Sequence, residues 1–138
     1  MRVLVLKVEN GAEYEGNVFD FWVCLQTHSG KVLKVFDDVP FDLRNQENSS
    51  IEVALLAGFI QNDKTGQVIS GTVVSEVLGS KQDWNNQKDC FIEQKWYGLE
   101  TDFGTLLLSE SDVKSYGLAV GGKVTLRFGR IDLVAYKQ

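Results

Sequence analysis

The chain has 138 residues, of which 43% are apolar and 24% charged, with 13 glycines and one proline. This composition fits one compact domain and excludes a disordered or collagen-like chain. The net charge of −5 disfavours binding to nucleic acid or anionic membranes, and no apolar run reaches the roughly 20 residues that cross a bilayer. Two cysteines, Cys24 and Cys90, are too few for the disulfide framework of a small secreted protein, so we expect a cytoplasmic protein.

Most segments carry the short, β-branched runs that are typical of strands, and turns containing glycine separate them. In chain order the predicted strands are residues 3–8, 18–27, 31–36, 51–61, 67–78, 91–101, 105–109, 123–128 and 131–136. A short helix is expected after each of two Asp-containing turns. One would have Pro40 in its first turn, and the other would begin with the capping pattern of Ser109 and Asp112.

The order of elements repeats because the sequence repeats. From Trp22 to Val39 and from Trp96 to Val113, seven of 18 aligned positions are identical at an offset of 74 residues, where chance would give roughly one. Such a repeat indicates one folding unit used twice. We therefore expect a single domain, residues 1–138, built from repeat one at 1–65 and repeat two at 66–138.

Gly58 and Gly129 occupy equivalent places inside the last strand of each repeat. A glycine within a strand often marks a bend that lets a small sheet close on itself. We predict an all-β fold with one or two short helices. It would be an internally duplicated, pseudo-twofold small β-barrel, with two tandem small barrels as the alternative.

The segment from Tyr116 to Leu126, which contains Gly121 and Gly122, resembles the Gly-Asp box of duplicated cradle-loop barrels. Gly122 stands where that family has an aspartate. The resemblance implies a pseudo-twofold barrel and no particular activity, since such folds carry many activities.

Residues with catalytic or metal-binding chemistry do not form a known motif. There is no nucleophile elbow, phosphate-binding loop or zinc-ligand spacing, and His28 is the only histidine. Asp38 and Asp112 recur in both repeats, where capping a short helix is a simpler role than sharing a proton. We therefore predict a non-catalytic protein with no metal and no cofactor.

The two repeats differ most in the loop between their first two strands. Trp84 stands among polar residues in repeat two, and Tyr14 has the comparable place in repeat one. An aromatic side chain in a polar loop offers a large contact area at small entropic cost. We expect a module that binds a macromolecule, most simply a protein, through these loops, and the alternative is that both loops fold back as lids.

Two other functions remain open. A nucleic-acid binder would stack a base on Trp84 and contact phosphates through basic residues, although the acidic first half disfavours it. A small-ligand-binding barrel, or an enzyme without a known motif, would place its site at the barrel mouth. The candidate binding residues are Tyr14 and Trp84 for the leading function, and the nucleic-acid alternative adds Lys81, Lys88, Arg127 and Arg130 as phosphate contacts.

Overall fold

The computed structural model describes residues 1–61, 64–75, 84–88 and 95–138. A 3₁₀ turn, Leu43–Gln46, precedes β6, and a short helix, α1 (Glu110–Ser115), precedes β11. The strands are β1 (Arg2–Asn10), β2 (Glu13–Tyr14), β3 (Asn17–Val18), β4 (Phe21–Thr27), β5 (Val32–Asp37), β6 (Ser50–Gln61), β7 (Gln67–Ser75), β8 (Asn86–Gln87), β9 (Trp96–Thr101), β10 (Gly104–Ser109) and β11 (Lys123–Lys137).

The strand pairings close two rings of five strands each. In the first ring, β5 pairs with β4, β4 with β1, β1 with β6, β6 with β11, and β11 with β5. In the second ring, β6 pairs with β10, β10 with β9, β9 with β7, β7 with β11, and β11 with β6. Both rings contain β6 and β11, so these two strands join them into one structure.

Each half of the chain closes its ring with a strand of the other half. The β4–β5 hairpin pairs in parallel with β11, where Phe36 lies opposite Asp132. The β9–β10 hairpin pairs in parallel with β6, where Leu107 lies opposite Leu56. The last strand of each half, β6 or β11, thus completes the ring of the other half.

Alternating side chains fill the interior of the rings. In β4 every second side chain from Phe21 to Thr27 is buried, the period of a strand with one face in a core. The main apolar cluster joins residues of both halves, including Leu25, Leu55, Leu99 and Leu133. Burial of apolar surface therefore stabilises both rings together.

The prediction of an all-β, internally duplicated barrel with short helices is confirmed. The single domain and the repeat boundary at residue 65 stay predictions. Predicted strand residues 76–78 and 91–94 lie outside the described residues. In the described part of the chain, no helix is long and apolar enough to cross a membrane.

One predicted helix begins as expected and the other does not. The Ser109 hydroxyl accepts a hydrogen bond from the N–H of Asp112 at 3.1 Å and caps α1. Around Pro40 there is a loop instead of a helix, because fully buried Asp37 holds it: its carboxylate accepts the N–H of Phe41 at 2.8 Å and of Asp42 at 2.9 Å. The 3₁₀ turn starts only after Asp42, whose φ is 62°.

The buried carboxylate of Asp37 gives the stability a defined pH dependence. Burial raises its pKa above the ordinary value, against the opposing hydrogen bonds from the backbone. The folded protein therefore holds this proton more tightly than the unfolded chain does. Its contribution to stability is largest below about pH 4 and is lost as the pH rises through the folded-state pKa.

We expect the free energy of unfolding of the wild type to fall relative to that of Asp37→Asn as the pH rises from 4 to 7, measured by urea unfolding. Asp42→Asn is the control, because the hydrogen bond from Arg44 lowers the pKa of Asp42; its effect on the free energy of unfolding should change mainly below about pH 4 and stay nearly constant from pH 4 to 7. A wild-type advantage over Asp37→Asn that grows with pH would contradict the role assigned to burial.

Candidate functional site

A groove of about 390 Å³ lies where β1, β4 and the start of β6 run side by side. Leu4 of β1 lies opposite Gln26 of β4 and opposite Ser50 of β6. Because directly opposed residues share a face of the sheet, these three side chains form one row, and Arg2 belongs to the next row. This first groove is lined by Arg2, Val3, Leu4, Gln26, Thr27, His28, Gly30 and Ser50.

The polar groups of the first groove are cationic or neutral. Arg2 and His28 are exposed, and one terminal nitrogen of the Arg2 guanidinium lies 3.5 Å from the carbonyl oxygen of Ser50. Thr27 is buried, and its hydroxyl is 3.0 Å from that of Ser29. No carboxylate belongs to the lining residues, so the groove presents positive charge in a chain whose net charge is negative.

Glu52 is the carboxylate that lies opposite Arg2 in the register of β1 and β6. One of its carboxylate oxygens lies 3.7 Å from the ammonium nitrogen of Lys137. Its charge is therefore balanced by a residue outside the first groove, and the Arg2 guanidinium keeps its donors.

A second groove of about 750 Å³ lies in the other ring, where β7, β9 and the start of β11 run side by side. It holds hydroxyl groups and charges of both signs. The hydroxyls of Ser70 and Thr125 lie 2.7 Å apart. The groove is lined by Lys31, Val68, Ile69, Ser70, Gly71, Thr72, Glu100, Thr101, Asp102, Phe103, Lys123, Val124 and Thr125.

The two grooves occupy equivalent places in the two halves of the chain. The offset of 74 residues relates β4 to β9, and the strand register then relates β1 to β7 and β6 to β11. The equivalent pairs are Gln26 and Glu100, His28 and Asp102, Leu4 and Thr72, Arg2 and Ser70, and Ser50 and Lys123. Both halves therefore have the groove, and its charged residues differ between them.

A third cleft of about 490 Å³ lies between β6 and α1 and includes Phe59 and Asp132. Beside it, the Arg130 guanidinium donates to the Asp132 carboxylate at 2.6 and 3.1 Å. The guanidinium also lies 4.8 Å from the ring centre of Phe36 and 4.6 Å from that of Phe59. Arg130, predicted as a phosphate contact, is thus already paired within the protein.

The other predicted binding residues lie away from the grooves. Tyr14 is 67% exposed on the β2–β3 hairpin. The Lys88 ammonium lies 3.1 Å from both carboxylate oxygens of Asp38, and Arg127 donates to the carbonyl of Lys64 at 3.3 Å. Lys81 lies outside the described residues. None of the described candidates lines either groove, and their role in binding stays a prediction.

Trp84 packs against the protein. It is half-buried, and the Lys137 ammonium lies 5.2 Å from the centre of its ring. Its neighbours form a separate apolar cluster of Ala54, Trp96, Leu107, Val134 and Ala135. Residues 79–83 and 89 of the same loop lie outside the described residues, so the lid alternative stays a prediction.

The residues of the first groove were missed because none belongs to a motif. They come from three strands that are distant in sequence and meet only through strand pairing. One signal was available: within the aligned repeat, Gln26 corresponds to Glu100 and His28 to Asp102. A change of charge at two positions of one face indicates that the two copies serve different purposes.

No protein-family model and no curated protein matches the chain. Among solved structures, the fold is similar to that of the cytoplasmic molybdate-binding protein ModG in a form with molybdate bound. The TM-score is 0.50 at 13% sequence identity, and the match covers 96% of this chain and 92% of ModG. The similarity shows a shared barrel fold over nearly the whole chain.

The prediction of a module that binds a macromolecule through Tyr14 and Trp84 is wrong. The neighbour with the shared fold binds a small ligand, and Trp84 lies against the protein's own apolar cluster.

Trp84 and Tyr14 are expected to respond differently to truncation. Trp84→Ala removes a half-buried ring from an apolar cluster and should lower the free energy of unfolding by about 2 kcal/mol. Tyr14→Ala removes an exposed ring and should change it by no more than about 0.5 kcal/mol. Urea unfolding of both variants measures this difference, and equal stabilities would contradict the placement of Trp84.

Proposed function

We propose that this protein binds a small oxyanion in the first groove. The observation that carries the proposal is the composition of that groove. A chain with 19 acidic and 14 basic residues has there a concave surface with Arg2 and His28 and without a lining carboxylate.

The groups of the first groove suit a small, oxygen-rich anion. A guanidinium carries five N–H donors in a planar fork that matches pairs of oxyanion oxygens. The hydroxyl of Ser50 and the amide of Gln26 add neutral donors, which favour an anion by hydrogen bonding. A volume of about 390 Å³ accommodates such an ion together with water.

The fold neighbour supports the choice of ligand class. ModG binds molybdate, a tetrahedral dianion, and this chain matches it over nearly its whole length at low identity. Molybdate and ions of the same shape are therefore the first ligands to test. ModG is described as cytoplasmic, which supports a cytoplasmic location for this protein as well.

We expect isothermal titration to detect binding of at least one of molybdate, tungstate, sulfate and phosphate. Arg2→Ala should weaken the affinity about 10- to 100-fold, because charge-assisted hydrogen bonds are lost. Arg2→Lys keeps the charge without the planar fork, and its affinity should lie between those of the wild type and of Arg2→Ala. A C-terminal tag is required, since the Met1 ammonium donates to the carbonyl of Val53 at 2.8 Å.

Lys7→Ala is the matched control, because it removes one positive charge from the same strand outside the groove. Its affinity should equal that of the wild type. Absence of binding by all four anions at millimolar concentration would refute the function. Binding that Arg2→Ala leaves unchanged would refute the site.

A further inference from the structure

The second groove separates charges of opposite sign across a strip of hydroxyls. Lys123 of β11 lies opposite Thr72 of β7, and Thr72 lies opposite Glu100 of β9. Since neighbouring strands are about 4.8 Å apart, the backbones at Lys123 and Glu100 are separated by about 10 Å. Thr72 occupies the space between them on the same face.

These charges do not neutralise one another. Lys123, Glu100 and Asp102 take part in no ion pair among the described residues. Lys31 reaches the groove from the neighbouring hairpin, with its ammonium 6.0 Å from the centre of the Phe103 ring. Lys123 and Glu100 are thus both open to a ligand on opposite sides of Thr72, and the Lys31 ammonium lies near the end of the groove that holds Asp102 and Phe103.

Hydroxyl groups line the floor between the two sides. Ser70 lies opposite Thr125, and their hydroxyls are hydrogen-bonded at 2.7 Å. Each hydroxyl can both donate and accept a hydrogen bond, so the floor of the groove can pair with either a donor or an acceptor of a polar ligand. The equivalent row in the first groove contains Arg2 and Glu52, two charged residues, in place of the two hydroxyls.

From this arrangement we propose that the second groove binds a zwitterionic small molecule that carries an ammonium group and a carboxylate joined by a short chain. The carboxylate lies towards Lys123 and the ammonium towards Glu100. An ion of a single sign meets one attractive and one repulsive side, whereas a dipolar ligand satisfies both. This site is separate from the first groove, and it does not depend on oxyanion binding there.

A chain-length series of amino acids tests the proposal: glycine, β-alanine, 4-aminobutyrate and 6-aminohexanoate, with butyrate and butylamine as singly charged analogues. Amide chemical shifts in ¹H–¹⁵N spectra report both affinity and location. We expect shifts at Ser70, Thr72 and Thr125, with the tightest binding at one chain length. The affinity of the singly charged analogues should be lower by a factor of about five or more.

Lys123→Gln and Glu100→Gln should each weaken binding of the best zwitterion about fivefold. Both positions are exposed, so the variants are expected to fold, which circular dichroism checks. Arg2→Ala is the matched control, and it should leave zwitterion binding unchanged while it affects the first groove. The proposal for the second groove and the proposal for the first groove can therefore be refuted independently of each other.

A charge-exchange pair provides the sharpest test. Lys123→Glu alone and Glu100→Lys alone each make the two sides alike and should abolish zwitterion binding. The double variant restores one charge of each sign and should recover the affinity, with the ligand reversed. Equal binding of butyrate or butylamine, no recovery in the double variant, or shifts confined to other residues would each overturn the proposal.

Discussion

The ladder of hydrogen bonds between β6 and β11 is the constraint on which the rest of the structure depends. It extends from Lys137 opposite Glu52 to Arg127 opposite Gln61. Both rings contain these two strands, so neither ring closes without the ladder. The grooves depend on it too: the first begins at the start of β6 and the second at the start of β11. Because the strands are antiparallel, the two grooves lie at opposite ends of the same ladder.

The repeat and the alternation of apolar residues made the barrel predictable from the sequence. Strand pairing beyond the hairpins was not predictable, because a local pattern specifies which face of a strand is buried and not which strand lies beside it. The fact that β6 and β11 each complete the ring of the other half is information of this second kind. The loop held by Asp37 is similar: a buried carboxylate that accepts two backbone N–H groups cannot be distinguished in sequence from the exposed aspartates around it.

The functional prediction failed for a physical reason that applies to other chains. Trp84 stands among polar residues in sequence, yet it contacts an apolar cluster formed by β6, β9, β10 and β11. Exposure of an aromatic ring is a property of the fold, not of its sequence neighbours. The grooves were not predicted because Arg2, Gln26 and Ser50 belong to no sequence motif and come together only through strand pairing. The sequence feature that indicates the grooves is the difference in charge between equivalent positions of the two repeats.

The sharing of β6 and β11 also bears on the origin of the chain. A single repeat on its own would leave one hairpin without its parallel neighbour and one strand edge open. Two identical copies could satisfy both if each placed its last strand in the ring of the other, which gives a symmetric dimer as the simplest ancestor. In such a dimer every substitution appears twice. Fusion of two such copies into one gene would remove that restriction, so that one half could keep an arginine at the position where the other half has a serine.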